Sequence, residues 1–376
     1  MLPIIQSVKD FYCLNEISRY KYIEGLRAFA IIMVFNVHTF GYFYSKNYFI
    51  YDSPFGLSIV EFFHSGHTGV DLFFVISGFL IYRSLTTRSR CFYQFLSNRA
   101  KRLLPASTFI LFILIFPNID WKVFLKNIIF LPSFFPKIPS INFVSWTLGW
   151  EWLFYISIFF ILNSKFIRSR AVYIYISMLF FLLSLLFFNY FIHSHLLIYG
   201  VDMILPDPGR FSAFFIGVFI SICYQNPSYI SLAKSSFLSA ALIVWMLLLL
   251  SFSLFWDSIL SKSYFLINLY FILISLTYGV ILFTLSSNLK PHWFRYLLEL
   301  LPLRIIGQIS YSFYLIHASI AIPLALPITQ RFLGGEISSF KHILIFYVVS
   351  FVFSFFISSI SFYYLERPIF MRKKSF

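Results

Sequence analysis

The sequence predicts an all-α fold: a polytopic membrane helix bundle of about ten transmembrane helices, with both termini cytoplasmic. Composition comes first. Of the 376 residues 60% are hydrophobic and only 11% charged, with a mean hydropathy of +0.83. A soluble domain carries about 25% charged residues, so this chain lacks the polar surface to dissolve a particle of its size. The second observation is a series of apolar runs near the length that crosses a bilayer, about 20 residues. The third is that the basic residues sit at the ends of those runs.

Taken in order, the runs lie near 25–45, 66–85, 103–118, 144–162, 172–191, 210–224, 237–256, 264–286, 305–325 and 341–365. The third and sixth are short. An even number of spans returns the chain to its starting side. The connections that share the termini's side carry Arg83, Arg88, Arg90, Arg99, Lys101 and Arg102, then Lys165, Arg168 and Arg170, and later Arg367, Arg372, Lys373 and Lys374. The opposite connections carry fewer, among them Lys46, Lys122, Lys126, Lys137 and Arg331. By the positive-inside rule the richer side is the cytoplasm. The expected organisation is a cytoplasmic segment over 1–24, a membrane domain over 25–365 and a basic cytoplasmic tail over 366–376. The stretch 119–143, with Pro132, Pro136 and Pro139 among aromatics, reads as re-entrant or interfacial.

The formal net charge of +15 does not mark a nucleic-acid binder, because the charge is spread over helix ends rather than gathered on one face. Cys13, Cys91 and Cys223 are far apart, with no CxxC and no metal-ligand spacing, so no disulfide framework is expected. No cleavable signal peptide is read in residues 1–24; the first apolar run is expected to serve as a signal anchor.

Ionisable side chains inside a span cost about 2.5–3.5 kcal/mol each at mid-bilayer, which makes them functional candidates. Arg27 and His38 both fall in the first run, in GLRAFAIIMVFNVHTF. Their separation is almost three helical turns, so they share one face about 16 Å apart along the axis. Arg27 lies toward the cytoplasmic mouth and His38 deeper. Alone, Arg27 also reads as a snorkelling helix-end arginine, and His38 as a satisfied core histidine.

Glu151 sits in SWTLGWEWLFY, with Trp146, Trp150, Trp152 and Phe154 around it. A carboxylate among rings needs a cationic partner or a proton. It suits a proton acceptor, a group orienting His38, or a structural partner of Arg27. Asp71 opens the second run in GVDLFFVISGF as the only acid there, a candidate whose structural alternatives are a helix cap or half of an ion pair. Arg99 and Arg102, three apart in FLSNRAKRLLP, would share a helix face and could clamp a phosphate, although a basic cytoplasmic loop also serves topology and lipid headgroups. Arg210 heads the sixth run, His317 lies mid-span in ISYSFYLIH, and Glu366 closes the last run in YLERP. His64 and His67 precede Asp71 without a cysteine or further acid, so no metal site is expected.

At these residues the sequence resembles the acyltransferase 3 family of integral membrane acyltransferases. Arg27 and His38 match its Arg-x10-His, and GVDLFFVISGFL its second-helix block. Arg99 and Arg102 match its Arg-x-x-Arg, and SWTLGWEWLFY its acidic motif with Glu151 at the acidic position. ISYSFYLIH and YLERP match its closing motifs. The resemblance runs over about 20–370. The chain departs from the pattern at Trp152, where many members have a second acid, and at Thr147, where serine is usual.

The resemblance implies a stand-alone O-acyltransferase of a bacterial inner membrane, similar to O-antigen and exopolysaccharide O-acetylases. It would move an acyl group, usually acetyl, from acyl-coenzyme A to a sugar hydroxyl of an O-antigen, capsule or exopolysaccharide. Acyl-CoA (acetyl-CoA) is then a co-substrate, no cofactor is permanently bound, and membrane lipid is the remaining partner. Arg99 and Arg102 would hold the donor's phosphates and Arg27 would guide or meet the thioester arm. His38 would be general base or transient acyl carrier. Glu151 or Asp71 would orient the imidazole or bind sugar. Trp146 and Tyr155 could offer faces to a sugar ring, with Arg210 and His317 as further candidates. The rival class is a secondary transporter or lipid-linked glycan flippase, which favours two related halves with interrupted helices; no such repeat is visible.

Overall fold

A computed structural model describes residues 2–14, 20–44, 62–63, 65–87, 91–116, 118–135, 137–163, 208–231, 234–255, 264–287, 292–337 and 339–372. Among them the chain is helical, with no strand. The predicted fifth run, 172–191, and His64 lie outside the described residues.

The helices are α1 (Leu2–Phe11), α2 (Lys21–Tyr44), α3 (Gly69–Thr87), α4 (Phe92–Ile115), α5 (Trp121–Ile128), α6 (Trp146–Asn163), α7 (Pro208–Gln225), α8 (Ser235–Phe255) and α9 (Tyr264–Ser286). Three short helices follow, α10 (Trp293–Leu298), α11 (Leu301–Gln308) and α12 (Ser310–Ile316), the last running through a widened turn, His317–Ala321, into α13 (Ile322–Leu333). The long helix α14 (Phe340–Ser361) passes through a second widened turn, Phe362–Glu366, into α15 (Arg367–Arg372).

Seven helical stretches among the described residues are long and apolar enough to cross a membrane, and Gly209–Gln225 is a shorter apolar one. The chain is a multi-pass membrane protein. The expected count of ten is not reached among them: the fifth run lies outside the described residues, the sixth is the shorter helix Gly209–Gln225, and the third does not stand as an apolar span of its own. The third run belongs to α4, which begins at Phe92 and carries Arg99, Lys101 and Arg102 within the helix, so these basic residues are helical rather than in a loop. The ninth run is among the seven, but offset and broken, as Ser310–Leu333 after the separate helix α11.

Small residues bring the helices together. A Cβ at Gly78 of α3 would strike the Phe214 carbonyl of α7, and one at Gly217 of α7 would strike the Val75 carbonyl of α3. The backbones touch at both points, as small-residue interfaces in membranes allow. Gly25 and Gly307 do the same between α2 and the α10–α11 segment, against Leu298 and Glu24. Beside that contact Arg304 donates to Glu24 at 2.6 Å, closing a buried ion pair. On α14 the serines 350, 354 and 358 recur every fourth residue and are fully buried. The opposite face shows Val348, Val352, Phe356 and Ile360 outward, as lipid requires.

The two widened turns share a cause. Ile322 donates its N–H five residues back to His317, and Arg367 five residues back to Phe362. Each is followed at once by a proline, Pro323 or Pro368. A proline ring clashes with the carbonyl four residues back in a regular helix, and π-turns accommodate such interruptions and recur at functional sites. One turn begins on His317 and the other ends on Glu366, both buried.

Candidate functional site

The predicted residues separate into two neighbouring chambers joined along α2. The first is a cavity of about 120 Å³ between α2, α3, α4, α6 and α12. Arg27 from α2 and Arg99 and Arg102 from α4 all line it, as do Glu151 and Tyr155 from α6. The spacing of Arg99 and Arg102 does place both on one helix face, aimed at this space. The Arg99 guanidinium stands over the Tyr155 and Phe95 rings, at 5.6 and 5.7 Å to their centroids. Glu151 Oε1 accepts from Ser77 at 3.0 Å and from the Tyr155 hydroxyl. The charged neighbours of Arg27 are Arg102, Glu366, Glu24 and Glu151. Three arginines against one lining carboxylate make the chamber cationic, suited to an anionic ligand with an apolar stem.

Several lining groups carried no strong sequence signal. Ser310 is fully buried with an unpartnered hydroxyl, while Tyr311 donates to the Leu103 carbonyl at 2.6 Å and so ties α12 to α4. Glu366, already marked in YLERP, does not line the cavity; it accepts from Ser312 of α12 at 2.6 Å.

His38 is elsewhere. It lines the second chamber, of about 520 Å³, whose other walls are apolar: Val37, Gly41, Phe143, Ala318, Ile322, Pro323, Leu326 and Phe346. The expectation that Glu151 orients His38 is therefore corrected, because Ser77 and Tyr155 hold Glu151 in the arginine cavity. The ring partner of His38 is His317, with Nδ1 and Nε2 2.8 Å apart. His317 in turn places its Nδ1 3.0 Å from the Phe313 carbonyl. A carbonyl only accepts, so His317 carries its proton on Nδ1. A neutral His317 then has Nε2 as its acceptor, and His38 must donate from Nδ1. The basic nitrogen of His38 is consequently Nε2.

Between the chambers stands Tyr314. It lines the arginine cavity, its ring centroid is 5.9 Å from that of His317, and its hydroxyl donates to the Val144 carbonyl at 2.7 Å while accepting from Thr147 at 3.1 Å. The loop before α6 closes the far side, with Phe143 edge-on to His38 at 5.5 Å between centroids. In that loop α5 is capped by Asp120 and presents Trp121 and Leu125 outward, the surface of an interfacial helix.

The remaining candidates lie apart from both chambers. Asp71, fully buried, pairs with Arg210 at 3.6 Å; Arg210 also donates to the His67 carbonyl at 3.3 Å and covers the Phe271 ring at 4.0 Å. Trp146 packs half-buried against the core. Among the described residues no three His, Cys, Asp or Glu side chains gather where they could hold a metal ion.

A family model described as an acyltransferase domain matches residues 20–363. The exopolysaccharide production protein ExoZ of Rhizobium meliloti (strain 1021) is 32% identical over 105 residues, 25% of this chain and 33% of that protein. The chain thus spans about a third of the length of the curated relative it matches. No solved structure matches. With the family model covering nearly the whole membrane bundle and both chambers within it, this chain belongs to the acyltransferase 3 family.

Proposed function

We propose that the protein is a membrane O-acyltransferase of a bacterial inner membrane, moving an acyl group, acetyl in the simplest case, from cytosolic acyl-CoA to a carbohydrate hydroxyl of the cell envelope. The observation that supports it most is the convergence of Arg27, Arg99 and Arg102 on one cavity, three helical turns along α2 from His38. The phosphates of a coenzyme A thioester fit a cationic mouth. Its narrow pantetheine arm fits a small, partly apolar chamber, and extends past Tyr314 toward the imidazole. The ExoZ relative, named for exopolysaccharide production, favours a polysaccharide or its lipid-linked precursor as acceptor. With the arginine cavity on the donor's side, both termini face the cytoplasm.

In this reading His38 is the general base. Its Nε2 takes the proton of the acceptor hydroxyl as the oxygen bonds to the acyl carbon. The C–S bond breaks, and the proton passes to the departing sulfur, leaving free coenzyme A. Glu151 and Tyr155 set the arginine cavity and Arg27 meets the thioester end.

The test is transfer of radiolabel from acetyl-CoA into the glycan fraction of membranes carrying wild-type protein or His38→Ala. Labelling that depends on the protein and vanishes in the variant, at equal membrane abundance, is the expected result. Undiminished labelling by His38→Ala would overturn the base assignment. Absence of label with every acyl-CoA offered, beside demonstrated glycan movement across the membrane, would overturn the enzyme reading in favour of transport.

A further inference from the structure

We infer that His317 is the positioning residue for His38, holding its imidazole in the one tautomer that can take a proton from the acceptor. The inference rests on the reading of His38 as general base and deepens it. Three observations carry it. The two rings are joined by a short nitrogen–nitrogen contact of 2.8 Å. The far nitrogen of His317 is committed to the Phe313 carbonyl. And His317 is fully buried, enclosed by the rings of Phe35, Phe313 and Tyr314 with centroids 6.1 to 6.4 Å and 5.9 Å away, which offer no counter-charge for an imidazolium.

The chain of donors has one direction. The Phe313 carbonyl accepts from His317 Nδ1, His317 Nε2 accepts from His38 Nδ1, and the lone pair of His38 stays on Nε2. Were the His38 proton on Nε2 instead, two acceptor nitrogens would face one another at 2.8 Å. The arrangement does the work a carboxylate does in a triad, fixing tautomer and ring orientation. It differs in that the partner is neutral and shares a proton instead of supplying a charge. When His38 takes the acceptor's proton on Nε2, the Nδ1 proton stays on His38 and its bond to the neutral His317 Nε2 becomes a charge-assisted one that steadies the imidazolium. When the sulfur leaves, the Nε2 proton goes to it and the pair returns to its starting state.

Local backbone geometry supports the placement. His317 heads the widened turn that Pro323 enforces, and Ser319 within that turn donates to Asn142 Oδ1 at 2.8 Å. On α2, Asn36 accepts from Tyr347 of α14 at 2.8 Å, which ties the helix that carries His38 to α14. Both helices that carry the rings are thus tied to neighbouring elements.

The experiment compares wild type, His38→Ala, His317→Phe, His317→Gln and the double variant His38→Ala/His317→Phe. The readout is label transfer from acetyl-CoA in membranes matched for protein content, with kcat and the apparent KM for acetyl-CoA measured separately. His317→Phe keeps the ring volume and removes the acceptor; kcat should fall about 100-fold, within the range of general-base contributions, with KM for acetyl-CoA unchanged. His317→Gln, whose amide oxygen can take the place of Nε2, should recover activity to within about tenfold of wild type. The double variant should be no worse than His38→Ala alone, because the second residue acts through the first. If His38→Ala is inactive while His317→Phe keeps the wild-type kcat, the positioning role is wrong and the base assignment stands. If His38→Ala is active, the base assignment fails first. A rise in KM equal to the fall in kcat, or no recovery with glutamine, assigns His317 to packing alone and overturns the proposal.

Discussion

The side-chain amide of Asn142 donates to the Leu315 carbonyl at 2.9 Å, binding the loop before α6 to the span that carries His317. The same residue accepts from Ser319 and from the Val144 backbone N–H, so one buried asparagine fastens both sides of the widened turn. Asn142→Ala removes the side-chain partner of a carbonyl, a hydroxyl and the Val144 N–H, at a cost of about 1–3 kcal/mol for each buried group left without a partner. Asn142→Asp should be worse, since it keeps the acceptor for Ser319 but turns a carboxylate oxygen toward the Leu315 carbonyl. Thermal unfolding of the detergent-purified variants reads this order directly: wild type, then alanine, then aspartate. An aspartate variant as stable as wild type would show that the Leu315 bond contributes nothing.

Arg99 and Arg102 make a prediction about donor affinity. Each reaches the arginine cavity from α4, so removing either charge should raise the apparent KM for acetyl-CoA about tenfold, equivalent to about 1.4 kcal/mol. Arg99→Lys should recover only part of this, because the stack of the flat guanidinium over Tyr155 and Phe95 has no lysine counterpart. Steady-state kinetics at saturating acceptor separates the cases. A fall in kcat with KM unchanged would place these arginines outside donor binding.

How far this site could be read from the sequence follows from what periodicity can see. The alignment of Arg27 with His38 and of Arg99 with Arg102 is a property of single helices, and 3.6 residues per turn suffices for it. That Glu151 belongs with the arginines while His38 pairs with His317 depends on how α2, α6 and α12 cross, which no single helix records. The two widened turns were half visible, because Pro323 and Pro368 are plain in the sequence; the extra residue per turn that swings His317 and Glu366 inward is not. The apolar length rule located α2, α3, α8 and α9 well. It misplaced the start of α4, whose charged first half is helical because the arginine cavity takes up its polar face.

The pair Asp71–Arg210 tests where structure ends and chemistry begins. It lies against Phe271 and the His67 carbonyl, apart from both chambers. Asp71→Asn would leave the arginine charge buried with its partner carboxylate gone, a loss of about 3–5 kcal/mol for a broken buried pair. Folded protein recovered from membranes should drop sharply, and the double variant Asp71→Asn/Arg210→Gln should restore part of the yield. Activity per folded molecule should stay near wild type in the double variant. A well-folded double variant without activity would return these residues to the acceptor site.

The orientation of the histidine pair also bears on whether His38 carries the acyl group. Acylation at Nε2 makes a stable neutral acyl-imidazole only if the Nδ1 proton departs, and that proton points at His317 Nε2. Receiving it would leave a full imidazolium at His317, fully buried among rings, where an uncompensated charge is costly. Base catalysis avoids this, because the charge on the pair forms together with the negative charge of the tetrahedral adduct beside it and is discharged onto the leaving sulfur. Direct transfer through a ternary complex is therefore expected. Without acceptor, the protein should not exchange labelled coenzyme A into unlabelled acetyl-CoA, and peptides containing His38 should show no added acetyl mass after mixing with donor alone. Rapid exchange that disappears in His38→Ala would establish the acyl carrier instead, and with it a two-step mechanism in which His317 accepts the displaced proton.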